Sequence, residues 1–210
     1  MNLYHRLFYL FTSILIAGCS LIGEKEYYPI SIGNGWDYEV IRLKISGLDT
    51  TRSIIDSLRV DVVDTAKLIT GEQAWRVESE GENPFEEYTE GNFVYLYKTS
   101  DYLIAYENLS GGEWVLLALF PLEEGRKWVY WADEDDTVWA EVQAQEDVEV
   151  KGENFPDCFR IEYLPSWSKY WKHIIWMAPG IGPVKYEYHS GLGTENITIK
   201  RWEIFDYEIH

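Results

Sequence analysis

Apolar and polar side chains alternate along most of this chain, and the longest alternating segment runs from Val138 to Val150. The apolar positions are mainly valine and alanine, and the positions between them are mainly acidic or amide-bearing. Only Glu146 interrupts the pattern. A period of two is the side-chain period of a β-strand, so the segment predicts one long half-buried strand with a bulge at Glu146.

Shorter segments with the same period follow one another from residue 36 to residue 209. They predict strands over residues 36–45, 57–63, 74–80, 92–98, 102–107, 113–120, 127–131, 158–164, 170–177, 184–189 and 195–209. Gly, Pro, Asn and Ser occupy the breaks, and the connections are too short for crossover helices. The fold class predicted is therefore all-β, with mainly antiparallel strands in a barrel or half-barrel. Residues 51–68 have a mixed pattern that also allows a helical turn.

One ten-residue pattern, P-x3-G-x2-W-x-Y, occurs twice, as Pro29–Tyr38 and as Pro121–Tyr130. Each part of it has a folding reason. Proline suits the start of a strand, glycine permits a turn, and Trp and Tyr two residues apart share one face of the outgoing strand. Similar segments, Trp75–Glu78 and Phe159–Glu162, follow the two copies. We therefore expect one β domain, residues 29–210, built from two tandem units, 29–120 and 121–210.

The N-terminus has the features of a bacterial lipoprotein signal peptide. Arg6 precedes a short apolar segment that ends in Ile16-Ala17-Gly18-Cys19, which resembles a lipobox. We expect removal of residues 1–18, lipidation of Cys19 by acyl chains such as palmitate, and a tether over residues 20–28. Ser20 after the cysteine indicates the outer membrane if the cell has two membranes. The membrane, reached through this anchor, is thus a predicted partner.

Composition excludes some partners and limits cysteine chemistry. The chain has 36 Asp and Glu against 18 Lys and Arg, a net charge of −18, which excludes nucleic acids and electrostatic binding to anionic membranes. Lipidation of Cys19 would leave Cys158 without a disulfide partner. Because Cys158 adjoins an alternating segment, we expect a buried structural thiol.

Two further segments support a resemblance. They are Gly152–Cys158, close to G-x-F-x-x-C with one extra residue, and Trp176–Lys185, which fits W-x-A-P-G-[IV]-G-x-V-K. With the repeated pattern, they make the chain similar to a widespread group of uncharacterised bacterial envelope lipoproteins and periplasmic proteins. The resemblance implies an antiparallel barrel or half-barrel and brings no established activity.

The sequence contains no convincing catalytic, metal or cofactor motif, so we predict a non-enzyme without cofactors. Its ten Trp residues either fill a β core or line a ligand groove. Trp139, Trp167 and Trp171 are the ligand-facing candidates. We expect a non-catalytic, lipid-anchored envelope protein that binds a hydrophobic or glycan ligand or an envelope protein. The alternatives are a structural subunit of an envelope assembly and, less favoured, an enzyme.

Overall fold

The computed structural model of the protein describes residues 26–82 and 92–210. Within them every regular element is a β-strand, which confirms the all-β class. The strands are β1 Gly35–Ser46, β2 Asp49–Lys67, β3 Gln73–Gly81, β4 Phe93–Lys98, β5 Tyr102–Tyr106, β6 Trp114–Leu119, β7 Lys127–Ala132, β8 Thr137–Val150, β9 Glu153–Pro165, β10 Trp171–Ala178, β11 Gly182–Ser190 and β12 Asn196–Glu208.

The twelve strands form one antiparallel sheet that curls into a nearly closed barrel. Their order is β6-β5-β4-β3-β2-β1-β12-β11-β10-β9-β8-β7, so β6 and β7 are the two edges. Side chains join these edges to each other. The indole Nε1 of Trp128 on β7 donates to the carbonyl of Leu116 on β6 at 2.8 Å, and from β9, two strands further, the Tyr163 hydroxyl donates to the Leu117 carbonyl of β6 at 2.9 Å. These bonds satisfy backbone acceptors that an exposed edge would otherwise present to other chains.

Strands β1–β6 and β7–β12 are two six-stranded meanders, and the first three strands of each are paired at corresponding positions. In the first meander Trp36 is aligned with Val60, as Trp128 is with Ala140 in the second. Likewise Val62 is aligned with Val77, as Val142 is with Ile161. A β-bulge follows Val62 in β2 and Val142 in β8. Each P-x3-G-x2-W-x-Y pattern thus leads into the first strand of a meander. This correspondence is what two tandem units would produce, and their origin by duplication stays a prediction.

The long alternating segment forms β8 as predicted, and the register shifts between Glu146 and Val148, which confirms the bulge there. The bulge after Val142 was not evident from the sequence, because Gln143 continues the polar alternation. Residues 51–68 contain no helical turn: β2 runs continuously to Lys67. Pairing with β1 and β3 on both sides outweighs the weak local preference of this segment.

The core lies on the inner face of the barrel and is rich in aromatic side chains. Trp36, Tyr38, Trp128 and Tyr130, the aromatic residues of the repeated pattern, are all buried there. Cys158 is also fully buried, which confirms the structural role predicted for its thiol. Trp36 and Trp128 are only two of the ten tryptophans, so the repeated pattern does not explain the other eight.

The packed part of the chain begins before the predicted domain boundary at Pro29. Tyr27 is buried against Phe159, with ring centroids 5.0 Å apart, and the Gly180 N–H donates to the carbonyl of Glu26 at 2.6 Å. The predicted signal peptide, Cys19 and residues 20–25 lie outside the described residues. Across residues 26–82 and 92–210, no helix has the length and apolar character needed to cross a membrane.

Candidate functional site

Four neighbouring strands place one residue each in a row across the inner face of the barrel. The row consists of His173 on β10, Tyr188 on β11, Lys200 on β12 and Arg42 on β1. Val40, two residues before Arg42, and Trp202, two residues after Lys200, are both buried in the core. Arg42 and Lys200 are therefore on the inner face as well. The row thus has an aromatic end and a basic end.

The aromatic end continues outwards to one opening of the barrel. Successive ring centroids are 6.1 Å apart for Trp131 and Trp167, 5.8 Å for Trp167 and Trp171, and 5.9 Å for Trp171 and Tyr188. We call these four residues the aromatic mouth. Trp167 lies in the β9–β10 connection and is 46% exposed, while the other three are half-buried. Trp171 and Tyr188 are inclined by only 33°, so together they form a gently bent platform.

His173 lies directly beneath the aromatic mouth and is buried. Its ring centroid is 6.0 Å from that of Tyr163, 6.4 Å from that of Tyr186 and 6.3 Å from that of Tyr188. Burial and the nearby His189 lower the pKa of His173 to about 3, so the imidazole is neutral at physiological pH. Burial also raises the pKa of Tyr163 and Tyr186 far above the ordinary value. The base of the mouth is therefore aromatic and uncharged.

The basic end consists of Arg42 and Lys200, which we call the basic pair. They are directly opposite each other on β1 and β12, and both are half-buried. Lys200 forms a salt bridge with Glu82. Arg42 forms no salt bridge with any carboxylate in residues 26–82 and 92–210. Two like charges directly opposite in a sheet destabilise it unless a counter-charge is near.

Of the three tryptophans predicted to face a ligand, the structure brings together two. Trp167 and Trp171 are in the aromatic mouth, whereas Trp139 is on the outer face of β8 and 49% exposed. There it is aligned with Val129 on β7 and Leu164 on β9, which are 37% and 38% exposed. We call these three residues the outer apolar row.

A polar cluster on the outer face has a structural explanation. The buried carboxylate of Glu187 accepts a hydrogen bond from Arg201 Nε at 2.7 Å, lies 2.7 Å from His189 Nε2 and forms a salt bridge with Lys185. Burial raises the pKa of Glu187, but these three partners outweigh it and bring the pKa down to about 2. The carboxylate is therefore ionised and fully partnered, an arrangement suited to joining β11 to β12.

Cys158 is far from nucleophilic. Its Sγ donates to the Phe155 carbonyl at 3.3 Å. Burial, together with the charges of Asp147, Glu146 and Asp157, raises the pKa of the thiol to about 12. In the described part of the chain, no group of three or more His, Cys, Asp or Glu side chains has the geometry of a metal site.

Trp131, Tyr188, Arg42 and Lys200 were not predicted as site residues. A signal for the basic pair is nonetheless present in the sequence. The inner-face positions of β1 read Trp36, Tyr38, Val40 and then Arg42, so the apolar face becomes basic towards one end of the strand. The same change occurs on β12 between Trp202 and Lys200. Only the sheet order shows that the two changes are adjacent.

Comparison with known proteins identifies the fold and nothing finer. No family model matches, and no curated protein matches, so the resemblance stated above stays a prediction. The chain is similar to a protein of Bacteroides fragilis NCTC 9343, provisionally described as exported and with a YmcC-like fold. The TM-score is 0.50 and the identity 11%, over 88% of this chain and 99% of that one.

Two other solved structures are more distant. One is a protein of Parabacteroides distasonis ATCC 8503 that is provisionally described as a lipoprotein, with TM-score 0.44, 12% identity and coverage of 88% and 99%. The other is the LolA superfamily protein NE2245 of Nitrosomonas europaea, with TM-score 0.23, 12% identity and coverage of 85% and 87%. The fold of this chain is thus shared with a bacterial protein described as exported.

Proposed function

We propose that this protein is a non-catalytic, lipid-anchored lipoprotein of the bacterial cell envelope that binds a ligand at the aromatic mouth. The observation that carries the proposal is the continuous row of rings from exposed Trp167 through Trp171 to Tyr188. Half-exposed tryptophans cost solubility without adding to a core, so a ligand that covers them explains their position. The flat ring faces suit a sugar ring or an apolar ligand.

The chain enters the barrel at the end opposite the aromatic mouth. Glu26 is bonded to Gly180, in the β10–β11 turn, whereas Trp171 is at the other end of β10, roughly 25 Å away for eight residues of strand. The seven steps from Cys19 to Glu26 span at most about 25 Å when fully extended, so an anchor at Cys19 would keep the barrel close to the membrane.

The environments of the side chains that could act as a nucleophile or a base support a role without catalysis. The Cys158 thiol is buried and protonated, and His173 is buried and neutral beneath the mouth. Glu187 is ionised and held by three cationic or hydrogen-bonding partners on the opposite face of the sheet. These groups stabilise the fold where they are and do not converge on one reacting position.

Binding is tested with the full chain purified from membranes and applied to arrays of bacterial glycans and of phospholipids. We expect W167A and W171A each to lower the affinity for the ligand at least tenfold, because each removes a ring face from the mouth. Trp114→Ala is the matched control, since Trp114 is 52% exposed on β6 and is not among the rings of the mouth. A ligand that binds both mouth variants as tightly as the unsubstituted protein would contradict the proposal.

The anchor is tested separately by fractionation and mass spectrometry. We expect an N-terminal peptide whose Cys19 carries a diacylglycerol and amide-linked acyl group, and we expect C19S to leave the membrane fraction. A C19S protein that stays with the membrane would show that another feature attaches it.

The outer apolar row favours a second candidate function, a subunit of an envelope assembly. Val129, Trp139 and Leu164 present apolar surface on the outside of the barrel, across the edge strand β7 and its neighbours β8 and β9. Crosslinking in the native membrane tests this. Loss of a specific crosslinked species in W139E, but not in W171A, would favour assembly over ligand binding.

A further inference from the structure

Positive charge is concentrated in one place on the inner face of an otherwise acidic protein. The chain has a net charge of −18, yet Arg42 and Lys200 are side by side at the opening of the barrel. Lys44 follows two residues beyond Arg42, on the same face of β1. Of the carboxylates in residues 26–82 and 92–210, Glu82 forms a salt bridge with one of these three charges, Lys200. Within the described residues, this end of the inner face therefore has two positive charges without a salt bridge, against the charge of the whole surface.

The basic pair and the aromatic mouth belong to one surface. Tyr188 is aligned with Lys200, and Lys200 with Arg42, so Tyr188 and Arg42 are two strand spacings apart. At about 4.8 Å for each spacing, roughly 10 Å separates the platform from the guanidinium-bearing strand. A single ligand of a few rings spans that distance.

We propose that the ligand of the aromatic mouth is an acidic glycan. One sugar ring packs on the platform of Trp171 and Tyr188, and a carboxylate or other acidic group of the same or the next sugar binds Arg42 and Lys200. The C–H groups of a sugar ring are attracted to the electron-rich face of an aromatic ring, and guanidinium pairs with carboxylate through two parallel hydrogen bonds. This inference rests on the proposed function and names its ligand class.

One observation favours a glycan over an anionic lipid. His173 is in ring contact with both Tyr163 and Tyr186 beneath the mouth, so packed rings back the platform and form a floor on which a flat sugar ring lies.

The test measures binding of oligogalacturonate, a chain of uronic acids, and of its methyl ester, which has the same rings without the charges. A wider array of acidic and neutral bacterial glycans accompanies this pair. We expect acidic glycans to bind, their neutral counterparts to bind at least tenfold more weakly, and 0.5 M NaCl to weaken the acidic ones. We expect R42Q to reduce acidic binding at least tenfold without lowering the melting temperature.

Arg52→Gln is the matched control, because Arg52 is on the neighbouring strand β2, faces outwards and contacts Glu39 at 3.8 Å. If the array yields a neutral glycan that depends on Trp171 but not on Arg42, the acidic-glycan inference is overturned and the proposed function stands. If acidic glycans bind equally well to R42Q, or only vesicles of anionic phospholipid bind, the inference is also overturned. If W167A and W171A leave acidic binding unchanged, the aromatic mouth is not the site and the proposed function fails.

Discussion

Gly33 and Gly125, ninety-two positions apart, make the same hydrogen bond in the two halves of the barrel. The N–H of Gly33 donates to the carbonyl of Val62 at 2.9 Å, and that of Gly125 donates to the carbonyl of Val142 at 2.8 Å. The next residue accepts in return, since Val62 and Val142 donate to the carbonyls of Asn34 and Arg126, each at 2.9 Å. The repeated sequence pattern is thus a repeated backbone geometry.

Both glycines have a positive φ, +95° at Gly33 and +80° at Gly125, which disfavours other residues. We expect G33A and G125A each to lower the free energy of unfolding by about 1–2 kcal/mol, as measured by urea denaturation. Gly125→Asn is the control, because open space surrounds Gly125 and Asn tolerates the left-handed region. It should cost less than Ala, and equal losses for both would show that φ is not the cause.

Trp36 and Trp128 brace the first strand of each meander, and both are buried. The Nε1 of Trp36 donates to the Ile181 carbonyl at 2.7 Å, and that of Trp128 donates to the Leu116 carbonyl at 2.8 Å. We expect W36A and W128A to cost about 3–5 kcal/mol and to lower the melting temperature markedly. The exposed Trp114→Ala should change stability little. Loss of ligand binding with unchanged stability in either buried variant would contradict this architectural interpretation.

His173 should make the protein less stable in mild acid. Its pKa in the folded state is about 3, below the ordinary value of 6.5. As the pH falls below 6.5, the unfolded chain therefore gains a proton at this residue before the folded protein does. Stability is lost between pH 6.5 and about 3, by roughly 2 kcal/mol at pH 5.

Denaturation at several pH values between 6.5 and 5 tests this effect, with His173→Phe as the variant. Phenylalanine keeps a ring among Tyr163, Tyr186 and Tyr188, so the variant should fold and have a shallower loss of stability. The unsubstituted protein, denatured at the same pH values, is the control. An unchanged slope in H173F would show that another group is responsible.

The Cys158 thiol should be unreactive in the folded protein. Because its pKa is raised to about 12, little thiolate exists at pH 8, and burial excludes the reagent as well. We expect DTNB to react with Cys158 only after addition of denaturant, and a variant with Cys19 replaced by serine leaves Cys158 as the only thiol. Rapid reaction under native conditions would mean that the strand carrying Cys158 opens readily.

The period of two was enough to predict the strands, because half-buried strands in antiparallel sheets must alternate apolar and polar side chains. All twelve observed strands overlap predicted ones. Departures occur where pairing overrides local preference, as in β2, which extends to Asp49 and Lys67 beyond its apolar centre. The second bulge in β8 could not be predicted, since it depends on the register with β9.

The sequence by itself determined the β architecture and the repeated strand starts, because each is a local pattern of side-chain types; a local pattern also predicts an exported lipoprotein. Only the tertiary structure decided which tryptophans share a surface. Trp139 and Trp171 look alike in sequence, yet one is on the outside of the barrel and the other at its mouth. Likewise, Arg42 and Lys200 are 158 positions apart and become neighbours because β1 pairs with β12. Strand order, which brings distant residues side by side, is set by long-range pairing that no local pattern contains.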